Sequence, residues 1–332
     1  MGTPGASPPG WYRRLTVAPP STSSADPAAD REAALVRFAE LAAADEGIPD
    51  ATRSRLLEPD GPAPVTIVIW HGFTNAPSQF VPVAESLRAS GYRVLLPRMP
   101  HHGLPDRLTR DLAQLTEAEL VAQVDTCIDI AAGLGDQVWV LGLSAGGTMA
   151  AWAAATRDEV SRAVLAAPLV APKGFPMPLV RFCVKYPRVV PGRFYLWWDP
   201  RVKADLGHSP YAYPGFPLSG VVPFLHLSES LFDGSVPAGH RLDRVVLISN
   251  PGDLAVRQDA ARAFTAEVFA GAAAYRGEAR IDGDLHWMHD FVDPWSPGTG
   301  STDQVVAILE AALGIGGPSA GGLLLPPLVE PD

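Results

Sequence analysis

The sequence is poor in cysteine, in positive charge and in long apolar runs, and each shortage excludes a class of protein. Cys127 and Cys183 are the only cysteines among 332 residues, too few for a disulfide framework. Cys127 falls within an apolar helical pattern and Cys183 lies beside Phe182 and Val184, which predicts buried structural thiols. No apolar run reaches the length of about 18 residues that a membrane-spanning helix needs. The formal net charge of −10 argues against nucleic acid or an anionic membrane as the main partner.

The two ends of the chain differ in composition from the middle. Residues 1–29 are rich in proline, serine, glycine and alanine and lack an apolar segment of signal-peptide length. They predict a disordered leader on a cytoplasmic protein, and residues 315–332 predict a flexible tail. A hydrophobic content of 47% is enough for one large domain, or for a domain with a lid.

Between these ends, apolar strand patterns alternate with helical ones. Strands are predicted at residues 65–70, 92–96, 138–143, 160–167 and 245–249, with a weak one near 273–275, and helices at 30–44, 80–90, 118–134, 257–269 and 302–313. This alternation predicts an α/β fold with a doubly wound, mostly parallel sheet, its core formed by residues 30–168 and 241–314. Residues 169–240 are instead rich in proline and aromatic side chains, which predicts an inserted lid.

Two serines occur in a G-x-S-x-G pattern, and their surroundings separate them. Ser144 follows an apolar strand and precedes a helix of small residues, as a nucleophile elbow requires. Ser319 follows Pro318, has no strand before it, and is followed by residues that cannot begin a regular helix. We therefore expect Ser144 to be a nucleophile and Ser319 to belong to the tail.

A serine nucleophile needs a base, and the base needs a carboxylate that orients it. Asp253 follows the strand at 245–249 and is the favoured acid, although an ordinary turn aspartate would look the same; Asp259, already inside the next helix, is the weaker candidate. The base is His289 or His286, with His289 favoured. Their three-residue spacing could hold a metal, but the expected carboxylate ligands are not evident, so no metal is predicted.

An acyl-transfer site also needs donors that face the developing oxyanion. The backbone N–H groups of Ala145, after the nucleophile, and of Phe73, after the first strong strand, could fill that role. His71 and Gly72 would let the chain turn sharply before Phe73, although they could also form a plain strand-ending turn. The remaining histidine-bearing segments are interpreted as a loop near the cleft (residues 101–103) and as surface or hydrogen-bonded side chains in or beside the lid (His208, His226 and His240).

These motifs together resemble the α/β-hydrolase superfamily, and within it the branch of esterases and monoacylglycerol lipases. The resemblance spans about residues 65–313 and rests on segments 71–74 (HGFT), 97–103 (PRMPHHG), 142–147 (GLSAGG), 253–256 (DLAV) and 289–294 (HDFVDP). It implies the order serine, acid, histidine, which here gives Ser144, Asp253 and His289, with Phe73 and Ala145 as oxyanion donors. Relatives often have a glycine before the histidine, whereas this chain has Met288.

The expected reaction is hydrolysis of a small-molecule carboxylic ester through an acyl-enzyme, with no metal or organic cofactor. An acyltransferase or thioesterase would use the same triad, a peptidase or amidase could use the same fold, and a binding module could keep the scaffold without catalysis. The lid aromatics, with Trp287 or Trp295, either wall an apolar acyl pocket over Ser144 or form the lid's own small core.

Overall fold

The computed structural model describes residues 23–186, 189–190, 194–199, 209–232, 241–270, 275–281, 289–296 and 302–315. The helices in these residues are α1 (Arg31–Ala43), α2 (Val81–Ala89), α3 (Glu117–Leu134), α4 (Ala145–Thr156), α5 (Met177–Lys185), α6 (Val222–Leu231), α7 (Gln258–Val268) and α8 (Thr302–Leu313). The strands are β1 (Arg55–Leu57), β2 (Val65–Trp70), β3 (Arg93–Leu96), β4 (Gln137–Leu143), β5 (Val160–Ala166), β6 (Tyr195–Trp197), β7 (Gly215–Pro217), β8 (Arg244–Ser249) and β9 (Tyr275–Arg280).

Seven of these strands form one sheet in the order β1-β3-β2-β4-β5-β8-β9. Strand β1 runs antiparallel to β3, and every other neighbouring pair is parallel. Because the central strands are parallel, their carboxyl ends meet at one edge, and the order steps outward in both directions from β2 and β4. The predicted mostly parallel sheet is confirmed, and its loop edge is where a site is expected in such folds.

Local sequence accounts for where the main elements begin. Asp30 caps α1 by accepting a hydrogen bond from the Ala33 amide at 2.9 Å. Thr116 and Glu119 form a reciprocal capping box at the start of α3. Strand β2 is buried along its whole length, which explains why Thr66 is its one polar residue in a sheet covered on both faces.

One strand of this sheet lies later in the sequence than predicted, and another was not predicted. The strand predicted near residues 273–275 lies later, as β9, in the sequence YRGEAR. Its small residues Gly277 and Ala279 are buried, while the charged residues that alternate with them, Arg276, Glu278 and Arg280, are not, so a weak apolar signal marks this edge strand. Strand β1 is only three residues long and lies at the opposite edge, which leaves no periodicity to detect.

The segment predicted as a lid contains two kinds of structure. Its second part packs into the core: α6 contacts α3 and α4, and Tyr213, Phe216 and Phe224 are buried. Its first part exposes large apolar side chains, including Phe175, Leu179, Phe182 and Phe194. Strands β6 and β7 pair with each other in a small antiparallel sheet that joins the two parts.

The two thiols also differ from each other. Cys127 is buried in α3, as predicted, and burial raises the pKa of its thiol. The prediction for Cys183 is wrong, because this residue is only half-buried and lines a cavity beside α5. Among the helices of the described residues, none is both long enough and apolar enough to cross a bilayer.

Candidate active site

Ser144 occupies a strained turn between β4 and α4. Its φ of 56° and ψ of −115° lie in a region that non-glycine residues rarely adopt. The turn is held by neighbours: the Ser144 amide donates to the Ala166 carbonyl at 2.8 Å, and the Ser144 carbonyl accepts from the amides of Leu169 at 3.0 Å and Thr148 at 3.1 Å. Strain that is held this firmly is typical of functional residues.

The two glycines of the motif allow this turn to pack closely. A Cβ atom on Gly142 would lie 2.0 Å from the Gly146 carbonyl oxygen. A Cβ atom on Gly146 would lie 2.2 Å from the Trp70 carbonyl oxygen. Both distances are impossible, so the elbow requires glycine at each position, and the start of α4 contacts the end of β2.

Asp253 lies in the loop between β8 and α7 and is completely buried. Its Oδ1 accepts hydrogen bonds from the amides of Ala255 at 2.7 Å and Val256 at 3.0 Å, and its Oδ2 accepts one from Gln258 Nε2 at 3.0 Å. Burial by itself would raise the pKa of this carboxyl, but the contact with His289 and the amide donors lower it below its ordinary value. Asp253 is therefore an ionised acceptor whose charge is stabilised by protein hydrogen-bond donors rather than by water.

His289 forms the partner of this carboxylate. Its Nδ1 lies 2.8 Å from Asp253 Oδ2, and 22% of its side chain is exposed. Burial lowers the pKa of the imidazole, but the carboxylates of Asp253 and Asp290 outweigh that effect and raise it above its ordinary value. Since Nδ1 is engaged by Asp253, Nε2 is the nitrogen left to exchange a proton with another group.

The loop after β2 is held by a buried neutral histidine. The Met99 amide donates to His71 Nε2 at 3.1 Å, so Nδ1 carries the proton and donates to the Gly72 carbonyl at 2.9 Å. Burial lowers the pKa of His71 to about 3, which keeps the ring neutral. Phe73 follows, with its ring in edge contact with the buried His102 at a centroid distance of 5.7 Å.

Ser144, Phe73 and His289 line one cavity of about 300 Å³. Its wall is mostly apolar, and many of its residues come from the predicted lid. The lid and its flanks contribute Leu169, Pro172, Lys173, Phe175, Leu179, Val180, Cys183, Val190, Leu196, Trp197, Trp198, Phe216, Leu218, Val221, Val222 and Leu225. Leu254, Ala255 and Val256 of the acid loop complete the lining.

A polar network lies behind His289. Gln79 accepts a hydrogen bond from the Gly72 amide and donates to Asp290, each at 2.7 Å. Asn75 donates to Asp293 at 2.8 Å. Burial, followed by the nearby Asp293, raises the pKa of Asp290. Sequence reasoning assigned these residues no role; the only signal was their closeness in sequence to Phe73 and His289.

The other candidates lie elsewhere. Asp259 pairs with Arg257 at 2.6 Å. His226 pairs with Glu117 on α3. Trp295 contacts Tyr211 edge-on at 5.0 Å and is not among the cavity-lining residues.

Several residues considered from the sequence lie outside the described residues. These are His208, His240, His286, Trp287 and Ser319, together with most of the predicted leader and tail. Ala145, the second proposed oxyanion donor, is buried as the first residue of α4. The structure thus brings Ser144, Phe73 and His289 to one cavity, and His289 to Asp253.

Comparison with known proteins places this chain in a family. A thermostable monoacylglycerol lipase from Bacillus sp. (strain H-257) is 32% identical over 97 residues, which cover 29% of this chain and 38% of that lipase's length. Among solved structures, a soluble variant of monoglyceride lipase from Saccharomyces cerevisiae matches with a TM-score of 0.59 and 14% identity, covering 78% of this chain and 89% of that one.

The monoacylglycerol lipase of Paleococcus ferrophilus matches with a TM-score of 0.53 and 16% identity, covering 76% of this chain and 96% of that one. At such identities the structural likeness concerns the fold. A family model described as the alpha/beta hydrolase fold matches residues 65–269. Because that match spans more than half of the chain and agrees with the sheet order, the protein belongs to the α/β hydrolase fold family.

Proposed function

We propose that this protein is a serine hydrolase that cleaves carboxylic esters through an acyl-enzyme. The observation that carries the proposal is the 2.8 Å contact between His289 and the buried Asp253, with His289 and Ser144 lining one apolar cavity. The strained backbone of Ser144 adds support, since an elbow of this kind is built around a nucleophile. The likeness to monoacylglycerol lipases agrees with this chemistry.

The proposed reaction begins with attack of Ser144 Oγ on the acyl carbonyl, while His289 Nε2 takes the hydroxyl proton. Asp253 stays ionised and stabilises the imidazolium that forms. The backbone amides of Phe73 and Ala145 donate to the oxyanion of the tetrahedral intermediate. Its collapse breaks the ester bond, and His289 returns the proton to the leaving alcohol. Water then releases the acid from Ser144 by the same steps.

The proposed substrate is a small-molecule ester with an apolar acyl chain of medium length. The apolar side chains between Leu169 and Leu225 that line the cavity support this choice. We assign them to the lid proposed for residues 169–240. Because each buried methylene contributes about 0.8 kcal/mol, kcat/KM should rise from acetyl toward butyryl or hexanoyl esters and then fall once the cavity is full.

Labelling with a fluorophosphonate probe, combined with hydrolysis of p-nitrophenyl esters of increasing chain length, tests this function. We expect one labelled serine and turnover that depends on chain length. The absence of both labelling and turnover would favour a non-catalytic binding module. Competing alcohol and thiol acceptors would reveal an acyltransferase or a thioesterase, and anilide substrates would reveal an amidase.

A further inference from the structure

The side chain of Gln79 joins two loops that are far apart in sequence. Gln79 lies in a short 3-10 helix, Pro77–Phe80, and is almost completely buried. Its Oε1 accepts the Gly72 N–H at 2.7 Å, and its Nε2 donates to Asp290 Oδ2 at 2.7 Å. Gly72 precedes Phe73, and Asp290 follows His289. One planar amide therefore connects the residues next to the proposed oxyanion donor and the proposed base.

The far end of this bridge is itself firmly held. Asp290 Oδ1 accepts hydrogen bonds from the amides of Val292 at 3.3 Å and Asp293 at 3.1 Å. Asn75 approaches Asp290 Oδ2 at 3.4 Å and anchors Asp293 at 2.8 Å. The Oε1 and the Nε2 of Gln79 each have a defined hydrogen-bond partner. The side chain can therefore hold the two loops at a fixed separation, which a non-directional apolar contact cannot do.

We propose that Gln79 is a positioning residue that fixes the oxyanion loop and the base loop relative to each other. This inference rests on the proposed function, because it assigns the Phe73 amide and His289 to one reaction. Oxyanion binding and proton transfer both depend on sub-ångström placement, and a misplacement of about 1 Å can lower the rate about 100-fold. Gln79 acts only through the groups that bind the oxyanion and transfer the proton in the chemical step. Its loss should therefore lower kcat rather than substrate affinity.

Gln79 also influences the charge near the base. Among the described residues, the charged groups that raise the pKa of His289 are Asp253, at Nδ1, and the neighbouring Asp290. Lys173 lines the same cavity and donates to the Asp253 carbonyl, and the surroundings of Asp290 include Asp293, Asn75 and Gln79. The Gln79 N–H donor stabilises the ionised form of Asp290, and ionised Asp290 favours protonated His289. Loss of that donor should therefore lower the pKa of His289 and move the acidic limb of the kcat/KM profile to lower pH.

The first experiment replaces Gln79 by methionine, which keeps the length of the side chain and removes both hydrogen bonds. We expect Gln79→Met to lower kcat by about 10- to 100-fold, to change KM less than about 3-fold, and to shift the acidic limb downward. Gln123→Met on α3 is the matched control, since Gln123 is a buried amide that donates to the Arg98 carbonyl. The control should keep its kcat and its pH profile even if its thermal midpoint falls.

The second experiment exchanges the two groups. Gln79→Glu places a carboxylate against Asp290 and should lower kcat at least as much as Gln79→Met does. The double variant Gln79→Glu/Asp290→Asn lets the amide of the new asparagine donate to the new glutamate, which can still accept from Gly72. It should recover at least about 5-fold of the lost kcat, as expected when a repelling charge pair is replaced by a charge-assisted hydrogen bond.

Three results would overturn the inference: an unchanged kcat in Gln79→Met, an equal loss in Gln123→Met, or no recovery in the double variant. If Gln79→Met fails to fold, its thermal melt will show this. The recovery of kcat in the double variant Gln79→Glu/Asp290→Asn then tests the inference. Failure of the proposed function is a different result, because the wild-type protein would show neither fluorophosphonate labelling nor ester turnover. Normal wild-type turnover with a normal Gln79→Met enzyme would remove the positioning role alone.

Discussion

The two sides of the cavity are built on different principles. The polar loop cluster, which we define as residues 71–79, 250–256 and 289–293, holds its buried groups by directional hydrogen bonds, such as those of His71, Gln79 and Asp253. The apolar wall, which we define as the apolar cavity-lining residues between 169 and 225, combines buried side chains such as Val222 with half-exposed ones such as Phe175. Hydrogen bonds fix atoms in place, whereas apolar contact is non-directional and adapts to different chains.

This difference suggests a division of work. The polar loop cluster should set the rate of the chemical step, and the apolar wall should set the preference among acyl chains. Substitutions in the two regions should then affect different kinetic constants.

Removal of the nucleophile should have the largest effect. Ser144→Ala should lower kcat by about 10⁴-fold or more and abolish fluorophosphonate labelling, because no other group can form the acyl-enzyme. The fold should be unchanged, as judged by the thermal midpoint. Ser319→Ala, in the second G-x-S-x-G pattern, is the control and should leave both readouts as in the wild type. Substantial esterase activity in Ser144→Ala would show that Ser144 is not the nucleophile.

Substitution of the two candidate bases, His289 and His286, should lower kcat by very different amounts. His289→Ala should lower kcat by about 10⁴-fold, the scale seen when a triad base is removed. His286→Ala should lower kcat far less, since the proposed reaction assigns His286 no proton transfer. Steady-state kinetics on a single p-nitrophenyl ester measures both. A larger loss in His286→Ala would move the base to that residue.

The pH profile should report the pairing of His289 with Asp253. The base must be neutral to accept a proton, and its pKa is raised, so kcat/KM should fall as pH drops through an apparent pKa above about 6.5, the ordinary histidine value. Asp253→Asn removes the charge that raises this pKa. We expect its acidic limb at lower pH, together with a loss in kcat of about 10⁴-fold at neutral pH. An unshifted limb would contradict the pairing.

The apolar wall should give the smallest and most selective effect. Phe175 and Phe182 are both half-exposed, at 40% and 49%, but only Phe175 is among the cavity-lining residues. Phe175→Ala should lower kcat/KM for hexanoyl esters by about 4- to 15-fold, equivalent to losing contact with one or two methylenes, and should spare acetyl esters. Phe182→Ala should leave the chain-length profile unchanged. Equal effects in the two variants would remove the distinction between cavity wall and surface.

Most of the sheet could be predicted because its strands are locally distinctive. Strand β2 is apolar except at Thr66, and α1 and α3 begin at residues whose side chains cap their first turn. Strand β9 was misplaced because its buried positions are Gly277 and Ala279, which carry almost no hydrophobic signal. Helices α5 and α6 were not predicted, because prolines and aromatic residues obscure the helical periodicity of residues 169–240.

The sequence by itself determined the elbow, because its parts are adjacent: an apolar strand, Ser144 between two indispensable glycines, and a helix of small residues. Only the tertiary structure decided which carboxylate meets His289, across 36 positions, and that Gln79 reaches Asp290, across 211. It also decided which lid residues line the cavity. Local steric effects and helix caps involve only a few neighbouring residues, so they can be predicted from the sequence. The contacts of His289 and Gln79 and the lining of the cavity depend instead on how distant loops meet at the sheet edge.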